Sequence, residues 1–126
     1  MAELTVPALS LVLLVGISGS GKSTFGRQHF RPTEVISSDF CRGLVADDEN
    51  DHQATKPAFD LLHHIVGLRL AAGRLTVVDA TNVQPESRRS LVALAKEHDV
   101  LPVAIVLFVA QRQFVRGISM SGLTGR

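Results

Sequence analysis

The chain has 126 residues, of which 45% are hydrophobic, with 13 Lys+Arg against 12 Asp+Glu, a formal net charge of +1 and one cysteine. That length holds a single domain with a real core, and so balanced a charge, with no long basic run, neither calls for nor excludes nucleic acid. A lone thiol excludes a disulfide framework and points to a reducing, cytoplasmic setting. No stretch is long or uniform enough to span a membrane, and the amino end lacks the basic-then-apolar pattern of a signal segment.

The first predicted element is a buried parallel strand over 9–15, built on the unbroken apolar run Leu11-Val12-Leu13-Leu14-Val15. It leads into Gly16-Ile17-Ser18-Gly19-Ser20-Gly21-Lys22-Ser23, which fits the G-x-x-x-x-G-K-[ST] phosphate-binding loop. Thr24 to Phe30 continue as a helix. In a strand–loop–helix setting, backbone N–H groups and the positive end of the helix dipole converge on phosphates. Glycine at 16, 19 and 21 permits the conformations and close approach that a Cβ would block. Candidate nucleotide-binding residues are therefore Gly16, Ser18, Gly19, Ser20, Gly21, Lys22, Ser23 and Thr24. Lys22 reaches the β- and γ-phosphates and the Ser23 hydroxyl ligates Mg²⁺.

Arg31-Pro32-Thr33 break that helix, and Glu34 to Asp39 read as a short second strand. A helical turn from Phe40 to Val45 follows, then the acidic run Asp47 to Asp51. That run is a cation site or, more simply, a solvated loop. A long helix fits 55–72, with Thr55 as its cap, Pro57 in the first turn, and Ala58, Leu61, Leu62, Ile65, Leu68 and Ala72 facing inward. Gly73 closes it. Leu75 to Asp79 form a third strand, Pro85 to His98 a helix with Leu91, Leu94 and Ala95 inward, and Val103 to Val109 a fourth strand. Such alternation predicts a parallel α/β sheet with right-handed crossovers. The expected strand order is 2-3-1-4, which sets Asp79 beside Ser23.

Ligands of such sheets collect at the strand ends. Asp79, after an apolar strand, suits a Walker B carboxylate holding the magnesium shell, the alternative being an ordinary turn aspartate. Asp39 stands where a carboxylate accepts the proton of an attacking hydroxyl, or else caps the turn at Phe40. Arg42, three residues on, is placed to bind an acceptor phosphate or is a solvated surface residue. Thr81 and Asn82 are candidates for contact with phosphate or acceptor, Asn82 equally for a loop role. His63 and His64 read as packing or surface residues, Cys41 as a small buried hydrophobe, and Arg88 and Arg89 as solvent-facing.

The blocks Ser37-Ser38-Asp39-Phe40-Cys41-Arg42-Gly43-Leu44-Val45, Asp47 to Asp51, and Thr76-Val77-Val78-Asp79-Ala80-Thr81-Asn82 closely resemble the kinase domain of bacterial polynucleotide kinase–phosphatase. The resemblance runs from about Leu4 to Phe108. It implies an ATP- and Mg²⁺-dependent kinase that phosphorylates RNA or DNA 5′-hydroxyl ends in repair, with Asp39 as general base, Arg42 on the acceptor, and Lys22 and Ser23 on phosphates and metal. In that family the kinase precedes a phosphatase and a ligase-like module. The family has Gln directly after the acidic run, whereas this chain has His52 and then Gln53.

The reading divides the chain into an incomplete P-loop kinase domain at 1–109 and an atypical tail at 110–126. The family's two lid arginines fall near Gly117 and Ser121, with Arg116 close by. The tail therefore reads as a truncated or frame-shifted end. It is expected to be irregular, with no fifth strand and no lid, leaving the fourth strand with an apolar unpaired edge and the chain poorly soluble. Two alternatives stand beside this reading. One is a small-molecule or toxin-like P-loop kinase, the other a catalytically weak ATP-binding fragment.

Overall fold

The computed structural model describes residues 5–17, 19–82 and 85–107. The expectations placed on Ser18 and on the chain from Phe108 onward, including lid and fifth strand, lie outside the described residues.

Four strands form a parallel sheet: β1 (Ser10–Val15), β2 (Val35–Ser37), β3 (Thr76–Asp79) and β4 (Leu101–Val106). Their spatial order is β2-β3-β1-β4, the order expected from the need to bring Asp79 beside Ser23. Helices α1 (Lys22–His29), α2 (Ser38–Ala46), α3 (Thr55–Ala71) and α4 (Pro85–Glu97) provide the crossovers. The unbroken apolar reading of β1 has its cause in this order. As an interior strand it is covered on both faces, so it carries no polar alternation. Leu11 and Leu13 pack with Leu62, Val66, Leu70, Leu91 and Ala95 from α3 and α4. Val12 and Leu14 join Val77 on the opposite face, with Phe25 of α1 and Phe30 packed against them.

Several element edges differ from the sequence reading. β2 stops at Ser37, so Asp39 does not end a strand but lies in the first turn of α2. Ser37 caps that helix, its Oγ accepting from Phe40 N–H at 3.2 Å, and the helix runs longer than the predicted turn. β4 starts two residues earlier than expected because it registers with all of β1, from Ser10 opposite Leu101 to Val15 opposite Val106. Pro102 is tolerated there because, among the described residues, β4 is an edge strand.

Thr55 is not the cap of α3. A short 3₁₀ turn, His52–Ala54, precedes it and is capped by Asp51, so the chain is already helical at Thr55. The buried stripe of α3 is Ala58, Leu62, Val66 and Leu70, at strict four-residue spacing. Leu68 is 60% exposed, and Ala72, beyond the last helical turn, is exposed too. Arg69 ties the end of α3 to β3 through Leu75 C=O at 2.7 Å and Thr76 Oγ1 at 3.2 Å. Leu62 is fully buried, so Leu62→Ala is expected to destabilise by about 2–5 kcal/mol. Leu68→Ala should stay within about 0.5 kcal/mol of the parent, as exposed positions do. Urea denaturation of the two variants checks the assignment of the inner face, and equal losses would refute it.

Candidate functional site

The phosphate loop takes its shape from its glycines. Gly19 and Gly21 are left-handed, at φ 83° and 93°, where residues with a Cβ are strained. Gly16 has a different reason. A Cβ there would overlap the Ser20 hydroxyl and lie 3.3 Å from Leu107 C=O. Gly21 is also the N-cap of α1 and offers no side-chain acceptor, and the first turn of α1 carries no acid. Among the described residues no side chain caps the early N–H groups of α1, which leaves them available as anion donors.

Lys22 is nearly buried, and its ammonium donates to Ile17 C=O at 3.1 Å, spanning the loop from α1 back to its start. Ser23 Oγ donates to Asp79 Oδ2 at 2.8 Å. That contact follows from the strand order, since β3 lies between β2 and β1, with Leu14 registered against Asp79. Asp79 is 8% exposed, more enclosed than a turn aspartate needs to be.

The β3–α4 loop braces the phosphate loop from beneath. Gly16 N–H donates to Thr81 C=O at 3.0 Å. Asn82 is left-handed at φ 53° and 1% exposed, and its Nδ2 donates to Leu14 C=O at 3.0 Å and Ala80 C=O at 3.3 Å. Arg88 donates to the Asn82 carbonyl at 2.7 Å. Of the two readings of Asn82, the loop role is the one its geometry fits, because it is sealed from the cleft. Arg88 is tied to this loop, not to solvent alone.

A cleft of about 380 Å³ opens above these groups, lined by Gly19, Gly21, Lys22, Ser23, Thr24, Ser38, Asp39, Asp79, Ala80 and Thr81. Phosphate loop, serine–aspartate couple and Asp39 therefore share one space. Ser38 and Ala80 also line it, and neither carried a signal of its own beyond adjacency to an aspartate. Arg42 is not the solvated residue its alternative reading describes. Its side chain is 11% exposed and its Nη1 donates to Asp39 Oδ1 at 2.9 Å and to Glu49 C=O at 3.3 Å. Arg42 does not itself line the cleft.

The remaining candidates have structural partners. His63 bridges Phe59 C=O, at 2.7 Å, and Ser90 Oγ, at 2.9 Å. Cys41 is buried, and burial pushes its thiol above the usual range. In the acidic run, Asp48 and Asp51 accept from backbone N–H groups of Asn50 and Gln53, and among the described residues no cluster of His, Cys, Asp or Glu is arranged to hold a metal.

A glycine loop feeding an uncapped helix, backed by a serine–aspartate couple from the adjacent strand, defines the class: a P-loop α/β domain. Within that class, the chain belongs to the family described as AAA domain, whose model matches residues 11–119 and so continues past Phe108. No curated protein sequence matches it. Among solved structures it is similar to a chain of the Pnkp1/Rnl/Hen1 complex, with 23% identity, a TM-score of 0.70 and coverage of 90% of this chain and 40% of that one. A second structure, of the Pnkp1/Rnl/Hen1 RNA repair complex, gives 24% identity, a TM-score of 0.69, and coverage of 89% and 37%. The Mycobacterium tuberculosis APS kinase CysC in complex with AMPPNP and APS gives 23% identity, a TM-score of 0.60, and coverage of 95% and 76%. The shared feature is the P-loop kinase fold. The chain spans about two fifths of the Pnkp1/Rnl/Hen1 chains it matches. Among the described residues no helix is long and apolar enough to cross a membrane.

Proposed function

We propose that this chain is an ATP-dependent phosphotransferase acting on the 5′-hydroxyl ends of RNA or DNA. The observation that carries the reading is the position of Asp39. Asp39 lines the same cleft as the phosphate loop and the Ser23–Asp79 couple. In phosphoryl transfer the protein mainly positions groups and stabilises charge. The loop N–H groups and Lys22 hold the triphosphate, and Asp39 accepts the proton of the attacking hydroxyl. A bond forms from that oxygen to the γ-phosphorus as the β–γ bridging P–O bond breaks and ADP leaves. Ser23 and Asp79 supply hard oxygen donors of the kind Mg²⁺ takes, and their 2.8 Å contact fits a shared metal shell. When bound, the ion neutralises charge on the phosphate oxygens.

The polynucleotide acceptor is supported by the Ser37–Val45 and Thr76–Asn82 blocks and by the likeness to the RNA repair complex chains. A small-molecule acceptor has its own support, in the coverage of 95% of this chain by an APS kinase. The two separate in one assay. With γ-labelled ATP and Mg²⁺, label should pass to an oligonucleotide bearing a 5′-hydroxyl and not to one bearing a 5′-phosphate. Transfer only to APS would overturn the polynucleotide reading, and nucleotide binding without transfer to either would leave a nucleotide-binding module.

A further inference from the structure

The acidic run has no part in the reaction just described, yet its backbone is tightly specified. Asp47 ends α2 in the left-handed region, at φ 58°, with its N–H on Gly43 C=O at 2.8 Å. Asp48 Oδ1 accepts from Asn50 N–H at 2.9 Å, and Asp48 C=O accepts from Asp51 N–H at 3.2 Å. These two bonds bracket Glu49, the residue whose main-chain carbonyl accepts from Arg42 at 3.3 Å. The turn also packs closely on α2, since a Cβ on Gly43 would lie 3.2 Å from Glu49 Cγ.

What depends on this turn is the orientation of Asp39. The Asp39 side chain is 68% exposed, so its surroundings leave it free to change rotamer. Among the described residues its hydrogen-bond partner is Arg42 Nη1, at 2.9 Å. The same Nη1 donates to the Glu49 carbonyl at 3.3 Å. Among the described residues Arg42 Nε is buried and has no hydrogen-bond partner, so the hydrogen bonds that orient the guanidinium are those of Nη1. Held between a carbonyl and a carboxylate, the guanidinium acts as a clamp.

We infer that Asp48 is a positioning residue, acting through the Glu49 carbonyl and Arg42 to hold the Asp39 carboxylate toward the cleft. The inference rests on the reading of Asp39 as the base. Asp48 itself touches no reacting group, and its negative charge is not what matters. The side-chain oxygen that shapes the turn is.

Asp48→Ala removes that oxygen, whereas Asp48→Asn keeps it and removes the charge. Misplacement of a catalytic group by about 1 Å costs on the order of 10²-fold, so Asp48→Ala should lower kcat for transfer to a 5′-hydroxyl oligonucleotide by roughly 10- to 100-fold. The affinity for a non-hydrolysable ATP analogue should not change, and Asp48→Asn should restore kcat. Full activity in the Ala variant would overturn the inference. So would an Asn variant as impaired as Ala, or a parallel loss of nucleotide affinity. A second readout needs no acceptor. By NMR, the Arg42 Nη–H signals should be resolved in the parent and the Asn variant and averaged in the Ala variant. If the parent shows no transfer to any 5′-hydroxyl end, the polynucleotide reading falls. The NMR comparison then still decides whether the clamp exists, and identical Arg42 signals in all three proteins would sink it.

Discussion

Asp39→Ala is expected to remove phosphoryl transfer to a 5′-hydroxyl end while leaving nucleotide affinity nearly intact. Ser37, not Asp39, caps α2, so loss of this carboxylate does not unmake the helix. Among the described residues Asp39 is bonded to Arg42 and not to the phosphate loop. What is lost is proton acceptance, which typically contributes 10²–10⁴ to rate, or about 2.7–5.4 kcal/mol of barrier. Lys22→Ala should behave differently, lowering both nucleotide affinity and transfer. It removes a positive charge at the phosphates and also the 3.1 Å bond that spans the loop to Ile17. Asp39→Asn adds a control, since it retains an acceptor for Arg42 but cannot take a proton at neutral pH. Calorimetric titration with an ATP analogue, set beside the transfer rate, distinguishes the cases. Equal losses of affinity in the Asp39 and Lys22 variants would refute this division of roles.

The phosphate loop was legible in the sequence because its glycines encode backbone conformation directly, without help from distant contacts. The sheet order followed from one chemical requirement, that Asp79 reach Ser23, which puts β3 next to β1. The start of α2 was not legible, because Ser37, Ser38 and Asp39 are all residues that cap helices. The choice among them falls to tertiary pairing. β2 ends with Ser37 registered against Asp79, so the helix begins at the next residue. The inner face of α3 was misjudged at Leu68 for a related reason. Three- and four-residue spacings are equally helical, and only packing against β1 and α4 selects the stripe through Leu62 and Val66. The burial of Arg42 depends on a carbonyl seven residues away in a loop, which no local pattern announces.

Asn82 offers the second large expected effect, this time on stability. It is buried in a left-handed conformation that asparagine tolerates and alanine resists, at roughly 1–2 kcal/mol. Its Nδ2 donates to the carbonyls of Leu14 and Ala80, and losing two such bonds costs about 1–3 kcal/mol. Deleting Oδ1, buried without a partner among the described residues, returns part of that cost. The sum for Asn82→Ala is a loss of about 2–4 kcal/mol. Asn82→Gly keeps the backbone conformation and loses only the side-chain bonds, so it should be milder. Because Leu14 leads into Gly16, itself tied to Thr81, the loosened brace should also weaken affinity for an ATP analogue. Urea denaturation of the Ala and Gly variants, each with and without the analogue, reads both effects. An Ala variant no less stable than Gly would remove the conformational part of the argument. Unchanged nucleotide affinity in both would show that the phosphate loop holds its shape without the Asn82 brace.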